Sequence, residues 1–349
     1  MGSRSRVRLL AAVLAVAAVA VAAAGVAYAV TRGNHSGRDR PAAISVPTPV
    51  TTLNPRHAPQ LPARGVYFGS YVQGKGFSQP EQIAAIKGLQ HQLGRRLQIV
   101  HSYLRDGRFP TKSQLFAINQ GSDLLISWTG YDTRQVIAGT YDKIIRQRAL
   151  AMKATHGRIF LEWRWEMNRG AMQPIVHSPR DYIRAWDHVR AIFNRAKVNN
   201  VAWVWCPSSK GWGNVPGYVP GPEFYPGNNE VDWLCADVYP RLGSFVSFES
   251  AVRPFLSWAS HINKPIMIGE FGAPRSYSPR QRAQWLNDMA KTVMADHQIK
   301  ALVYFDGSPA GRAAVLQYGL DPGSAPMRAF RGIAHQRYFE RTSSPGPPP

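Results

Sequence analysis

At 349 residues, with 44% hydrophobic and 11% aromatic residues, the chain has ample material for a large core and is not a disordered protein. Its formal charge of +21 is not confined to one end: of 42 Lys and Arg only 8 precede residue 65, with a single acid. A surface of this sign is either simply solvated or favours anionic partners, namely nucleic acid, acidic phospholipid or anionic cell-envelope polymers.

The N-terminus narrows that choice. Arg4, Arg6 and Arg8 precede an uncharged, mostly apolar run from Leu9 to Val30, with Ala27-Tyr28-Ala29 near its end, which reads as an export signal. The 22-residue run also reaches the roughly 20 residues needed to span a bilayer. Two outcomes stay open: cleavage after Ala29 to a secreted protein, or an uncleaved anchor holding the rest on the outer face of the plasma membrane. Either way export makes nucleic acid no physiological partner. From Thr31 to about Arg64 the composition shifts to Pro, Ser, Thr, Arg and Gly, too poor in apolar residues to offset chain entropy. The expected organisation is a signal or anchor at 1–30, a disordered linker at 31–64, one folded domain at 65–341 and a disordered tail at 342–349.

Inside the domain eight apolar runs follow one another: Gly65 to Gly69, Leu97 to Tyr103, Leu124 to Thr129, Ile159 to Glu166, Val201 to Cys206, Val231 to Tyr239, Pro265 to Glu270 and Ala301 to Phe305. Their starts lie 27 to 42 residues apart, about the length of one βα unit. Near-continuous apolar strands imply burial on both faces, hence a parallel sheet wrapped in helices. Between them, Ser78-Gln79-Pro80-Glu81, Ser178-Pro179-Arg180-Asp181 and Ser278-Pro279-Arg280-Gln281 each pair a serine cap with proline in the first turn and an acceptor at the third position. The pattern predicts an α/β fold, a (β/α)8 barrel in preference to an open doubly wound sheet.

No cofactor is indicated. Gly74-Lys75-Gly76 and Gly211-Trp212-Gly213 lack the third glycine of a dinucleotide loop, and the ten histidines form no zinc-binding cluster. Cys206 and Cys235 fall on neighbouring predicted strands of an exported chain, where a disulfide can form; as free thiols in apolar strands they would serve as small hydrophobes.

Two glutamates stand where strands run out, Glu166 after the fourth and Glu270 after the seventh. A carboxylate at the end of a buried strand is costly unless paired or used. In a barrel these two face one another across the C-terminal mouth, where active sites lie. Two carboxyl groups so placed are the minimal equipment for cleaving a glycosidic bond.

Three segments carry a resemblance: Glu166-Met167-Asn168, Val231-Asp232-Trp233-Leu234-Cys235-Ala236-Asp237-Val238-Tyr239-Pro240, and Lys264-Pro265-Ile266-Met267-Ile268-Gly269-Glu270-Phe271-Gly272. In this order they resemble glycoside hydrolase family 26. The resemblance implies a (β/α)8 retaining enzyme acting on β-linked polysaccharides, chiefly β-mannans, without a metal. It makes Glu166 the acid/base, Glu270 the nucleophile and Tyr239 an aromatic hydrogen-bonded to the nucleophile. Trp165 and Met167 would favour a protonated Glu166 by desolvation. Two departures from the family pattern concern the sugar pocket: Trp165 stands where many members have His, and Arg169-Gly170-Ala171 replaces an aromatic-rich loop.

Sugar rings stack on aromatic faces. Trp128, Trp205, Tyr239 and Phe305, at the ends of the third, fifth, sixth and eighth runs, are expected to line the cleft, with Trp165 and Asn168 beside Glu166. Trp163 with Trp165, and Trp203 with Trp205, each share a side by alternation, so barrel packing is the competing reading. Trp212, Tyr218, Phe224 and Tyr225 form either an outer sugar platform or a packed loop. Asp237 and Asp306 end strands as structural acceptors or as ligands of substrate hydroxyls. Alternation also puts Glu162, Arg164 and Glu166 on one face, unless a bulge intervenes. The expected protein is an exported or membrane-anchored monomeric β-glycanase whose partner is a polysaccharide, with anionic envelope polymers as a further partner. The rival is a non-catalytic envelope glycan-binding protein on the same fold.

Overall fold

The computed structural model describes residues 57–340, apart from 63, 77, 242, 309 and 310; the export segment, most of the linker and the predicted tail lie outside the described residues. The apolar runs become β1 (Tyr67–Val72), β2 (Ile99–Leu104), β3 (Asp123–Trp128), β4 (Ile159–Trp163), β5 (Val201–Trp205), β6 (Trp233–Val238), β7 (Ile266–Phe271) and β8 (Ile299–Asp306). They close in sequence order into one barrel. Every pairing is parallel, and β1 meets β8 from Tyr67↔Ala301 to Val72↔Asp306.

Helices α1 (Gln79–Leu93) and α2 (Lys112–Asn119) follow the first two strands, α3 (Thr133–Ile137) and α4 (Asp142–Ala154) the third, and α5 (Gln173–Val176) and α6 (Pro179–Arg195) the fourth. After β5 only short 3₁₀ turns occur, at Ser209–Trp212 and Gly221–Phe224; α7 (Phe248–Ala259), α8 (Pro279–Ala295) and α9 (Ala325–Ala334) complete the shell. All three serine caps form. Ser78 and Ser278 make full capping boxes with Glu81 and Gln281, and Ser178 accepts from Asp181 N.

Alternation sorts each strand into two faces. The outward face packs against the helices and holds Trp128, Trp163, Trp203 and Trp205; the inward face holds Tyr67, Ile99, Leu125, Phe160, Val204, Trp233, Met267 and Val303. The end of the predicted linker is part of this body: Ala58 N donates to Asn199 O at 2.8 Å and Tyr67 Oη to Gln60 O at 2.9 Å.

Two irregularities aim the strand ends. The fourth strand stops at Trp163, and Arg164 and Glu166 take left-handed backbone angles, φ 54° and 49°. Glu162, Arg164 and Glu166 therefore do not share a face: Glu162 points into the barrel, while Arg164 donates outward to Tyr131 O at 2.7 Å. On β7 the register slips by one residue against both neighbours, since Ala236 pairs with Ile268 and Asp237 with Glu270. Gly269 is the extra residue. A Cβ there would lie 2.5 Å from Cys235 Sγ and 2.6 Å from Glu162 Oε1, so only glycine fits this bulge. The bulge turns Glu270 inward directly after an inward position.

Candidate active site

Above the apolar interior lies a polar layer. His101 Nε2 and Ser127 Oγ are 2.7 Å apart, and Ser127 Oγ donates to Glu162 Oε2. Cys206 and Cys235 are bonded to each other, joining β6 to the residue that follows β5. Their sulfurs sit 3.3 Å from Asp237 Oδ1 and 3.5 Å from Glu162 Oε1. Glu162 and the two sulfurs lie within 4.8 Å of one another, but a disulfide offers no thiolate to a metal. Burial pushes Glu162 up to about 8 and Asp237 well above the usual carboxylate range, and it depresses His101 to about 3. The layer is thus largely uncharged at neutral pH.

Glu270 sits on this layer at the mouth, 6% exposed. Tyr103 Oη donates to its Oε1 at 2.5 Å and Tyr239 Oη to its Oε2 at 2.9 Å. Burial first, and then the charge of Glu166, push Glu270 up to about 7, while the two tyrosine hydroxyls oppose the rise. Both tyrosines are themselves raised well above their ordinary value by burial and so stay donors.

Across the mouth, Glu166 N donates to Cys206 O at 2.7 Å, which ties the turn after β4 to the end of β5. Its Oε2 accepts from Arg169 Nη1 at 2.6 Å, with both side chains mostly covered. The surroundings expected for a proton donor differ here. Met167 is buried in the outer core and Trp165 leans on Tyr103 with centroids 5.3 Å apart, so a cation, not an apolar wall, is the contact Glu166 makes.

Of the predicted cleft residues, Trp165, Tyr239 and Phe305 are partly exposed in this mouth. Phe305 stacks on Tyr71 at 4.9 Å and meets Tyr239 edge-on at 6.2 Å. Trp128 and Trp205 do not line the cleft. Both are fully buried on the outward face, Trp128 against Tyr131 and Trp205 among Trp212, Tyr225 and Trp258. Asn168 is likewise fully buried: its amide donates to Ser208 O at 3.0 Å and accepts from Ser208 N at 2.9 Å, clamping the loop after β5. Trp212, Phe224 and Tyr225 pack in that loop instead of forming a platform. Asp306 is a structural acceptor, taking Leu320 N at 2.7 Å.

Sequence reasoning missed Tyr71, Tyr103, Arg169 and Tyr318, the last 4.7 Å from Tyr239. For two of them a signal existed. Tyr103 follows His101 and Ile99 at steps of two, and Tyr71 follows Gly69 and Tyr67, so each ends a same-face row, which the structure turns inward.

A closed parallel barrel with carboxyl groups gathered at the C-terminal ends of its strands belongs to the class of barrels whose chemistry resides in the βα loops. Within that class the chain resembles glycoside hydrolase family 26. No family model matches the sequence. Over 260 residues, 69% of this chain, it is 29% identical to Endoglucanase H of Acetivibrio thermocellus, and it spans only 28% of that protein's length. The fold is similar to that of a family 26 endo-β-1,4-mannanase from Cellulomonas fimi, with a TM-score of 0.58, 17% identity, and 78% of this chain and 71% of that one covered. It is similar also to a family 26 β-mannanase from Bacteroides ovatus, with a TM-score of 0.58, 14% identity, and 79% and 90% covered.

Proposed function

We propose that this chain is a retaining glycoside hydrolase of the family 26 type, cleaving a β-linked polysaccharide of the mannan kind or a related β-glycan. The observation that carries the reading is Glu270, held at the barrel mouth by Tyr103 and Tyr239 with Glu166 across from it on the turn after β4. Glu166 gives its proton to the leaving glycosidic oxygen while the Glu270 carboxylate attacks the anomeric carbon. The resulting glycosyl ester is hydrolysed by a water that Glu166, now the base, deprotonates. Arg169 has to yield its contact with Glu166 for the glycosidic oxygen to approach. Trp165, Tyr103, Tyr239 and Phe305 offer faces and hydroxyls to the sugars.

The proposed place of work is outside the plasma membrane, supported by the Leu9–Val30 segment. Among the described residues no helix is long and apolar enough to cross a membrane.

The test is reducing-sugar release from mannan, mixed-linkage glucan and xylan by the wild type beside Glu270→Ala. Loss of at least about a thousand-fold in kcat/KM is expected on the polymer that is cut, with the β-anomer as the first product seen by NMR. Equal activity in both proteins removes Glu270 from the mechanism. Polymer binding without cleavage by the wild type favours the glycan-binding alternative.

A further inference from the structure

The connections after β4, β5 and β6 bring three cations to one rim of the cleft. Arg169 forms an antiparallel bridge with Tyr218, and Gly170 N donates to Gly217 O at 2.7 Å. Over the ring of that same Tyr218, at 5.7 Å from its centroid, lies Lys210 Nζ. Arg241, just past β6, reaches back to Gly213 O at 3.1 Å. Lys210 lies within reach of the charges of Glu166, Arg169 and Arg241, and Arg169 within reach of Glu166.

The charges do not balance. Arg169 is matched by Glu166, and Arg241 has a carbonyl but, among the described residues, no ion-paired carboxylate. Lys210, half-buried, has no hydrogen-bond or ion-pair partner among the described residues. It lies over the Tyr218 face, and burial lowers its pKa against the opposing pull of the Glu166 charge. The carboxylate whose charge favours Lys210, Glu166, is already bonded to Arg169; a cation short of a counter-ion is costly out of water, and a neutral sugar chain would leave it so. A flexible surface lysine would turn to solvent; this one lies over Tyr218, on the segment bridged to Arg169.

We propose that Lys210 and Arg241 form a subsite for an anionic substituent of the glycan, so that the substrate is an acidic β-linked polysaccharide bearing carboxylate or phosphate groups near the bond that is cut. This rests on the reading of the cleft as that of a β-glycanase. The excess positive charge of the folded part then acts as a steering field toward the same polymer.

Carboxymethyl-, phosphoryl- and hydroxyethyl-glucomannan of equal substitution separate the two anions from a neutral control of similar bulk. At low ionic strength kcat/KM on at least one anionic polymer should exceed that on the hydroxyethyl polymer by about five-fold or more, the ratio shrinking as salt is added. In Lys210→Gln/Arg241→Gln the ratio should fall to near one. In Lys143→Gln/Lys291→Gln, which removes the same charge from exposed positions on α4 and α8, it should stay as in the wild type. A wild-type ratio of one or less, or equal loss in both double variants, overturns the subsite.

Retardation of Glu270→Gln protein in native gels containing each polymer repeats the comparison without turnover. If the wild type cuts none of the polymers, the hydrolase reading fails, and the gels still decide whether the rim binds anions through Lys210 and Arg241.

Discussion

Burial and the charge of Glu166 both favour a proton on Glu270, while the hydroxyls of Tyr103 and Tyr239 favour its carboxylate; burial wins, and the group is pushed up to about 7. As the proposed nucleophile Glu270 must be ionised, so kcat/KM should rise with pH through about 7 on its acid limb. Tyr103→Phe and Tyr239→Phe each remove a donor to the ionised form only. The sign follows: with less stabilisation of the carboxylate its pKa rises further, and the acid limb should move up by about one pH unit as the plateau falls. A pH profile that drops in height without moving would show these tyrosines orient Glu270 but do not tune it. Tyr239 was legible as a partner of Glu270 through the family resemblance. Tyr103 was not, because it and Glu270, 167 positions apart in sequence, are brought together by barrel closure, which no local pattern encodes.

Strands were easier to read than the faces of strands. All eight were legible from apolar runs and turn residues, and the serine caps located α1, α6 and α8. Parity assigns relative faces along one strand, yet it cannot say which of the two faces inward. Trp128 and Trp205 thus looked like cleft residues, although they share rows with Ile126 and Trp203 on the outward face. Parity also fails where a strand bulges or ends. Ile266, Ile268 and Glu270 should share a face by count, and the one-residue slip at Gly269 separates them. That bulge can be tested directly. An alanine Cβ at 269 would press on Cys235 Sγ, held by its disulfide, and on Glu162 Oε1, whose carboxyl is fully buried and bonded to Ser127. Gly269→Ala should lower stability by about 1–3 kcal/mol and reduce kcat/KM at least about a hundred-fold by displacing the next residue. Denaturant unfolding and steady-state kinetics measured side by side check this; an intact kcat/KM would mean that the bulge does not aim Glu270.

At the scale of the barrel, its N-terminal part is filled with apolar side chains and its C-terminal part with ionisable ones, and stability should therefore depend on pH. Glu162 has no exposed surface, and burial raises it from 4.5 to about 8; Glu270 rises from 4.5 to about 7. In the unfolded chain both lose their protons near 4.5, so between there and about 8 the folded state binds more protons than the unfolded one. Unfolding free energy then falls as pH rises across that window, by at most about 1.4 kcal/mol per pH unit for each group. The contribution is fully present below 4.5. Carboxylates such as the partly covered Asp181, where burial is outweighed by hydrogen bonds to Ser178 and Arg134, and the exposed Asp321, lowered chiefly by its hydrogen bond to Arg275, work oppositely and lose their contribution as pH falls through the acid range. The large positive charge also adds self-repulsion at low pH, so the wild-type curve alone mixes several effects. Glu162→Gln isolates one. Its amide can still meet Ser127 Oγ but does not titrate, so thermal unfolding followed from pH 4.5 to 8.5 at constant ionic strength should show a shallower decline in Tm than in the wild type. The two curves should diverge above pH 5, with the variant higher at pH 8. Parallel curves would mean that Glu162 keeps the same proton affinity folded and unfolded, and that the layer beneath Glu270 carries charge at neutral pH.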